Sequence, residues 1–363
     1  MAKLQVKINL FTGLFFRVPT QDQILFARHL AVMSKAGLPL IESLKLIQKE
    51  TKSRAMLKIL DQVIKDVSNG QFLSASLDRY KEIFGSLFIN IIRVGESAGI
   101  LSENLNYLAD ELKKKRELKK KVIGALIYPA IIFVATFGIT GLLTVFIFPK
   151  ILPVFKSLNI TLPLTTRILI WFSNALTDYG PYVIAAFGVL IISLWLLAQL
   201  KKIRYFLHFF LLKLPVFGNI ARDVNLANFC RTLGLTIKSG VKIVEALEIT
   251  SESLSNFVYK KNILAIAENV KKGEAIAQYL IKRHKLFPVV VSQMVSVGET
   301  AGNLSETLLY LSEFYESEVN EVTKNLSNIL EPILMLVMGI VVGFVAISII
   351  TPIYEVSQNI STR

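Results

Sequence analysis

Residues 94–108 read VGESAGILSENLNYL, and residues 297–311 read VGETAGNLSETLLYL. The two stretches share 11 of 15 positions at an offset of 203 residues (297 minus 94). Matches continue at this offset on both sides without a gap, as between Gly70 and Gly273. Self-similarity at a fixed offset is typical of a structural unit that is used more than once. The sequence therefore predicts an internal duplication.

Each copy has the apolar periodicity of helices. Phe26 and Leu30 fall on one helix face, and Leu57, Leu60 and Ile64 fall on another. Glycine-containing turn signals separate these segments, and no alternating run typical of a strand appears. Each copy is therefore predicted to be a small all-α bundle of about six helices.

Three stretches without Asp, Glu, Lys or Arg are long enough to cross a bilayer. Residues 122–149 provide 28 positions, residues 179–200 provide 22, and residues 332–354 provide 23. A spanning helix needs about 20 mostly apolar residues. The whole chain is 53% hydrophobic and only 19% charged. We therefore predict an all-α integral membrane protein with three transmembrane helices.

Basic residues predict the orientation of these spans. Residues 113–121, KKKRELKKK, carry seven positive charges directly before the first span, whereas the whole 150–178 stretch carries three. Basic residues accumulate on the cytoplasmic side of a membrane. The seven juxtamembrane residues are Lys113, Lys114, Lys115, Arg116, Lys119, Lys120 and Lys121. The predicted order is cytoplasmic domain 1–121, transmembrane helix 122–149, external loop 150–178, transmembrane helix 179–200, cytoplasmic domain 201–331, transmembrane helix 332–354 and external tail 355–363.

The sequence lacks the motifs of common catalytic and cofactor sites. There is no G-x-x-x-x-G-K-[ST] phosphate loop and no G-x-G-x-x-G after a strand. The three histidines are far apart in sequence, and the single cysteine, Cys230, excludes an internal disulfide. The net charge of +14 could indicate nucleic-acid binding, but attraction to anionic lipid of about 1 kcal/mol per basic residue accounts for the run beside the span. We expect no catalytic residue, no cofactor, no metal site and no nucleic-acid partner.

A membrane transporter or permease subunit is the alternative function. Transporters commonly place ionisable residues inside their spans, and such residues mark the transport pathway. None of the three predicted spans contains Asp, Glu, Lys or Arg. This absence favours a scaffold over a transporter.

The repeated G-E-[ST]-A-G element holds the main candidate site residues. They are Gly95, Glu96 and Gly99 in the first copy, and Gly298, Glu299 and Gly302 in the second. The glycines are predicted to form a tight turn between helices, because glycine reaches backbone angles that other residues avoid. Each glutamate is expected to cap the N-terminus of the following helix, where negative charge is favoured by ~0.3–1 kcal/mol. Docking of a partner or of a divalent cation is the alternative role, although one carboxylate per copy supplies few ligands for such an ion.

Three further patterns predict contacts between helices. Gly339 and Gly343 form a G-x-x-x-G in the third span, which lets another helix approach closely. Arg28 with Glu42, and Arg231 with Glu245, are predicted ion pairs between neighbouring helices. The basic run 113–121 corresponds to ESEVNEVTK at 316–324. This difference in charge predicts either that one of the two helices lies near lipid headgroups or that the two helices pair.

Taken with the duplication and the spans, the repeated motif resembles that of the PilC/GspF family. These are inner-membrane platform proteins of type IV pilus and type II secretion machines. The resemblance covers residues 24–354 and includes Tyr128-Pro129 at the start of the first span, Pro149 at its end, and Leu162-Pro163 followed by Thr165 and Thr166. One departure is Glu331, which stands where the first copy has Tyr128.

The resemblance implies an assembly platform rather than an enzyme. Such a platform couples a cytoplasmic ATPase to the insertion of pilin or pseudopilin subunits into a filament. The implied partners are this ATPase, the pilin or pseudopilin subunits, other inner-membrane assembly proteins, membrane lipid and further copies of the chain in a homo-oligomer. The implied location is the cytoplasmic membrane, with a cytoplasmic N-terminus and an external C-terminus.

Overall fold

The regular structure of the protein is helical. A computed structural model of the chain describes residues 18–157, 163–179, 182, 185–186, 188–190, 193, 196, 200–215 and 217–361. Within these residues every regular element is a helix and no strand occurs. The predicted all-α class is confirmed for this part of the chain.

In the described residues, six helices precede the first long helix. They are α1 (Thr20–Lys35), α2 (Leu40–Glu50), α3 (Arg54–Ser68), α4 (Leu73–Asp78), α5 (Lys81–Phe84) and α6 (Ser86–Ala98). The long helix α7 (Leu101–Leu142) continues through a π-helical turn (Leu143–Ile147) into α8 (Phe148–Ser157). α9 (Leu164–Asp178) follows.

The second copy repeats this order. Its described helices are α10 (Lys201–Leu211), α11 (Phe217–Lys238), α12 (Ile243–Ser253), α13 (Phe257–Lys271), α14 (Ile276–Ile281), α15 (Val289–Ala301) and α16 (Leu304–Ser361). Adding the offset of 203 residues to the first and last residues of α2, α3, α4 and α6 gives the first and last residues of α12, α13, α14 and α15. The duplication in the sequence is therefore a duplication in the structure. The short α5 is the exception, because residues 282–286 form turns instead.

Aromatic side chains lie at the centre of each copy. In the first copy the rings of Phe84 and Phe88 lie 4.8 Å apart, and Phe26 stacks on Phe88 at 6.1 Å. In the second copy Phe287 lies 5.8 Å from Phe229. Such ring pairs contribute about 0.5–1.5 kcal/mol beyond the area that they bury. The predicted core positions Phe26 and Leu30 are fully buried.

The buried face of α3 differs from the predicted one. Its buried apolar residues are Ala55, Met56, Ile59, Leu60 and Val63, whereas Leu57 and Ile64 are only half-buried. The predicted face was about one position out of register. The reason is that apolar residues cover more than half of this helix's circumference, so their spacing alone does not fix which of them face the core.

The chain divides into two compact units. One consists of Met1–Lys120 with Tyr205–Asn320, and the other of Lys121–Arg204 with Glu321–Arg363. Both helical copies therefore belong to the first unit, where α6 of the first copy contacts α11 and α12 of the second. The Ser86 hydroxyl donates a hydrogen bond to the Glu252 carboxylate at this contact, and Lys81 Nζ lies 3.4 Å from Glu252 Oε2.

The second unit contains the apolar parts of the two long helices. The described residues include two helical stretches long and apolar enough to cross a membrane, Leu101–Ile151 and Leu304–Pro352. They include the predicted spans 122–149 and most of 332–354. The predicted span 179–200 falls largely outside the described residues.

The predicted external loop 150–178 is largely helical in the described residues. Helix α9 lies against both apolar helices, since Thr166 Oγ1 donates to the Ser348 carbonyl at 2.8 Å and Ser173 Oγ donates to the Thr144 carbonyl at 2.9 Å. Phe148, Leu169 and Val345 form a small buried cluster beside these bonds. The segment between the first two predicted spans is thus itself largely helical, and its external location stays a prediction.

Candidate functional site

Each glutamate of the repeated motif binds two backbone amides. Glu96 Oε1 accepts a hydrogen bond from Leu73 N at 2.6 Å, and Oε2 accepts one from Ser74 N at 2.9 Å. Leu73 and Ser74 are the first residues of α4, whose amides have no partner within the helix. Glu96 therefore caps α4 with a charge that the helix N-terminus favours.

The second copy repeats this cap. Glu299 accepts from Ile276 N at 2.7 Å and from Ala277 N at 2.9 Å, at the start of α14. The predicted capping of a helix is therefore present, but the expectation that the following helix is capped was wrong. The carboxylate instead reaches back to an earlier helix in the chain, because α6 and α15 lie directly against α4 and α14.

The glycines of the motif have two different roles. Gly99 and Gly302 end their helices with φ of +73°, a backbone conformation that favours glycine, and so form the predicted turn. Gly95 and Gly298 lie inside the helices instead. A Cβ atom at Gly95 would stand 2.9 Å from Leu101 Cα, and one at Gly298 would stand 2.8 Å from Thr307 Oγ1. These two glycines allow the start of the next helix to approach closely.

A surface groove adjoins the motif in the first copy. Phe72, Ile100 and Glu103 line it together with Glu96. The Phe72 side chain is 67% exposed although it directly precedes α4. The second copy has Ala275 at the position of Phe72 and Asn303 at that of Ile100. The apolar lining is therefore a property of the first copy.

A buried charged cluster joins the two copies. Arg231 of α11 places Nε 3.6 Å from Glu111 Oε2 on α7 and Nη2 2.5 Å from Glu316 Oε2 on α16. The Arg231 side chain is 5% exposed and the Glu111 side chain is 0% exposed. Burial raises the pKa of Glu111 to about 7, although the positive charges of Arg231 and Lys115 act in the opposite direction.

The predicted partners of the two matched arginines were wrong. Arg28 contacts the Asp110 carboxylate and the Asn106 side chain on α7, not Glu42. Arg231 likewise contacts the long helices rather than Glu245. Charge pattern along neighbouring helices suggested the wrong pairs because each arginine reaches a long helix that lies far from it in sequence.

Part of the basic run also contacts the second copy. Lys114 Nζ lies 3.2 Å from Glu313 Oε1 on α16, and Lys115 Nζ donates to the Ser253 carbonyl at 3.3 Å. Arg116 donates to the Gln21 side chain. Of these contacts only that of Lys114 with Glu313 joins the two long helices, and Glu313 precedes the compared stretch 316–324, so the choice between headgroup contact and pairing stays a prediction. The exposed members of the run are Lys113, Lys119, Lys120 and Lys121.

The G-x-x-x-G of the third predicted span lies in α16. A Cβ atom added at Gly339 or Gly343 would meet no atom within 4 Å. Within the described residues, no atom of this chain therefore occupies the space beside either glycine.

Among the described residues, no group of three or more His, Cys, Asp or Glu side chains is placed to hold a metal ion.

The duplication matches a known family twice. A family model described as "Type II secretion system (T2SS), protein F" matches residues 26–149 and again residues 229–352. The chain belongs to this protein F family. The two matches are related by the same offset as the internal duplication, both at their first and at their last residues. The resemblance inferred from the repeated motif is thus confirmed.

Relatives in this family carry names from two machines. The chain is 34% identical over 344 residues to the type IV pilus assembly protein PilC of Thermus thermophilus, covering 94% of this chain and 84% of that protein. It is 30% identical to PilC of Pseudomonas aeruginosa, covering 94% and 91%. It is also 30% identical to the type II secretion system protein F of Vibrio cholerae, covering 95% and 84%. Its two apolar helices and its membership of the protein F family indicate an inner-membrane protein.

Proposed function

We propose that this protein is the inner-membrane assembly platform of a type IV pilus or type II secretion machine. It couples a cytoplasmic ATPase to the insertion of pilin or pseudopilin subunits into a filament. The observation that carries the proposal is the double match to the protein F family over both copies. Relatives named for pilus assembly and relatives named for secretion have similar sequence identities to the chain, 34% and 30%. The proposal therefore names both machines.

The proposed arrangement has three spans. Residues 1–121 and 201–331 are cytoplasmic, the spans are 122–149, 179–200 and 332–354, and residues 150–178 and 355–363 are on the outer side. The basic residues next to the first and second spans support this orientation. Its cytoplasmic part is then the helical unit in which the two copies contact each other.

The platform acts by binding rather than by catalysis. Its energy comes from the separate ATPase, and its own helices transmit the movement to the membrane. The groove at Phe72 and Ile100 is the proposed contact for a cytoplasmic partner, because it combines exposed apolar side chains with nearby charges. Self-association through the open face at Gly339 and Gly343 would place more than one copy in the machine.

A transporter or permease subunit is the second candidate. The three charge-free spans count against it, because a polar pathway through the bilayer needs polar or ionisable residues at mid-depth. Reporter fusions along the full chain test the proposed arrangement. Fusions within 201–331 should report a cytoplasmic location and fusions within 150–178 an external one. An external location for 201–331 would reject the three-span arrangement and the platform with it.

A further inference from the structure

Helix α10 and the turn after it expose an unusual number of large apolar side chains. Phe206 is 64% exposed and Phe210 is 55% exposed. In the described residues of this segment, the exposed large apolar side chains are Tyr205, Phe206, Leu207, Phe209, Phe210 and Leu211 of α10 and Phe217 at the start of α11. Single exposed apolar residues are normal on a protein surface, but a continuous patch marks a surface that is covered by something else.

His208 fixes which side of α10 faces outward. Its Nδ1 accepts a hydrogen bond from Phe257 N at 3.0 Å, and the two rings lie 5.8 Å apart. Phe257 is the first residue of α13, so His208 satisfies an amide at that helix terminus. At about 100° per residue, Phe206 and Phe210 stand roughly 160° around the helix from His208. The two most exposed rings therefore lie on the side of α10 opposite its attachment.

The charged residues around α10 in the sequence have one sign. No Asp or Glu occurs between Asp178 and Asp223. The same stretch contains the basic residues Lys201, Lys202, Arg204, Lys213 and Arg222. The Lys213 ammonium lies 4.7 Å from the centre of the Phe209 ring, so a cation accompanies the aromatic patch. The sequence around α10 thus combines aromatic and basic residues with no acidic ones, a composition that matches the boundary between acyl chains and anionic headgroups.

The position of α10 in the chain agrees with this chemistry. It begins at Lys201, directly after the proposed span 179–200. A helix that starts at the cytoplasmic end of a span starts at the level of the lipid headgroups. An aqueous location would leave the patch in water, whereas an interfacial location buries it.

We propose that α10 is an interfacial helix that binds anionic phospholipid of the inner leaflet. The rings of Phe206 and Phe210 insert among the upper acyl chains, and the basic residues contact the headgroups. The bond between His208 and Phe257 attaches the helix to α13. This inference rests on the proposed orientation, in which residue 201 is on the cytoplasmic side.

Tryptophan quenching in the full-length chain tests the proposal. Both native tryptophans, Trp171 and Trp195, are first replaced by phenylalanine. Phe206→Trp is then made in this background, with Phe72→Trp as the matched control, because it replaces another highly exposed phenylalanine of the same unit. Phe210→Trp is a second test variant in case Phe206→Trp does not fold, and circular dichroism checks the helical content of all three.

The proteins are reconstituted into vesicles containing phosphatidylglycerol and lipids brominated on the upper acyl chain. Brominated lipid should quench Phe206→Trp severalfold more strongly than Phe72→Trp, whereas aqueous iodide should show the reverse order. Vesicles without phosphatidylglycerol should reduce the lipid quenching. Quenching of Phe206→Trp by iodide as strong as that of the control would overturn the proposal. Protection from both quenchers would overturn it too, because the helix would then be covered by protein.

A reporter fused after Lys213 separates this failure from failure of the proposed orientation. A cytoplasmic reporter with an iodide-accessible tryptophan would reject only the interfacial helix. An external reporter would reject the orientation itself.

Discussion

Glu111 of the first copy lies against Arg231 of the second, with 3.6 Å between Oε2 and Nε, and both side chains are almost fully buried. The residues belong to α7 and α11, which come from different copies of the duplicated unit. Charges in a protein interior are costly unless they are paired. This contact therefore ties the two copies together, and the second carboxylate on Arg231, from Glu316, makes the arginine the centre of the cluster.

Replacing Arg231 should destabilise the protein strongly. Arg231→Met leaves the Glu111 and Glu316 carboxylates facing each other, and removing one partner of a buried pair costs about 3–5 kcal/mol. Chemical unfolding of the chain in detergent at pH 8 measures this loss. Arg28→Met is the matched control, since Arg28 occupies the same position in the first copy but pairs with exposed Asp110. The control substitution should lower the unfolding free energy by no more than about 1 kcal/mol. Equal losses of unfolding free energy for the two variants would show that burial of the Arg231 cluster does not matter for stability.

The pH dependence of stability should depend on Glu111. Its pKa is raised from 4.5 to about 7 on folding, so the unfolded chain releases this proton at lower pH than the folded chain does. The unfolding free energy therefore falls as pH rises from about 4.5 through 7, by an amount on the order of a few kcal/mol. Glu111→Gln removes this titration. Its unfolding free energy should change less between pH 5 and pH 8 than that of the wild type. Identical pH profiles for the two proteins would contradict the buried location of the ionisable group.

The capping role of the motif glutamates predicts a loss of stability. Glu96→Ala and Glu299→Ala each leave two amides of a helix N-terminus without their acceptor, which should cost about 1–3 kcal/mol. Thermal unfolding monitored by circular dichroism measures both. Glu103→Ala, at an exposed position beside the same groove, serves as the control. If Glu96 and Glu299 served only to dock a partner, both variants would unfold like the wild type.

The open face at Gly343 predicts self-association. Gly343→Leu would fill the space that a second helix needs, so it should weaken oligomers in mild detergent. Size-exclusion chromatography with light scattering measures the mass of the complex. Gly124→Leu is a suitable control, because Gly124 also lies in an apolar helix with open space around it but is not part of a G-x-x-x-G pattern. An unchanged mass for Gly343→Leu would reject this interface.

Local features of the protein could be predicted from its sequence, and distant contacts could not. The constant offset between the copies predicted that α12 to α15 would repeat α2, α3, α4 and α6, because similar local sequence folds into the same helices. The caps by Glu96 and Glu299 were misassigned, since these carboxylates meet the amides of an earlier helix only after the helices have packed. A Glu that recurs at a fixed distance after the start of a short helix in both copies could have indicated them.

The cluster at Arg231 was missed for the same physical reason. Its partners come from two other helices, and the identity of the buried pair depends on how the two copies contact each other. The only sequence signal was that Arg28 and Arg231 recur at the same position. The attachment of α10 through His208 had no signal at all, since the first copy has no histidine at the matching residue, Gln5.

The turnover of a cognate secretion or pilus ATPase, measured with and without this protein in lipid nanodiscs, tests the platform proposal most directly. The protein alone should hydrolyse no ATP, and its addition should change the turnover of the ATPase. Phe72→Asp and Ile100→Asp should abolish that change without altering helical content, whereas Leu264→Ala, at an exposed apolar position of the second copy, should leave it intact. Hydrolysis of ATP by the isolated chain, or an ATPase turnover that does not respond to the wild-type protein, would contradict the account.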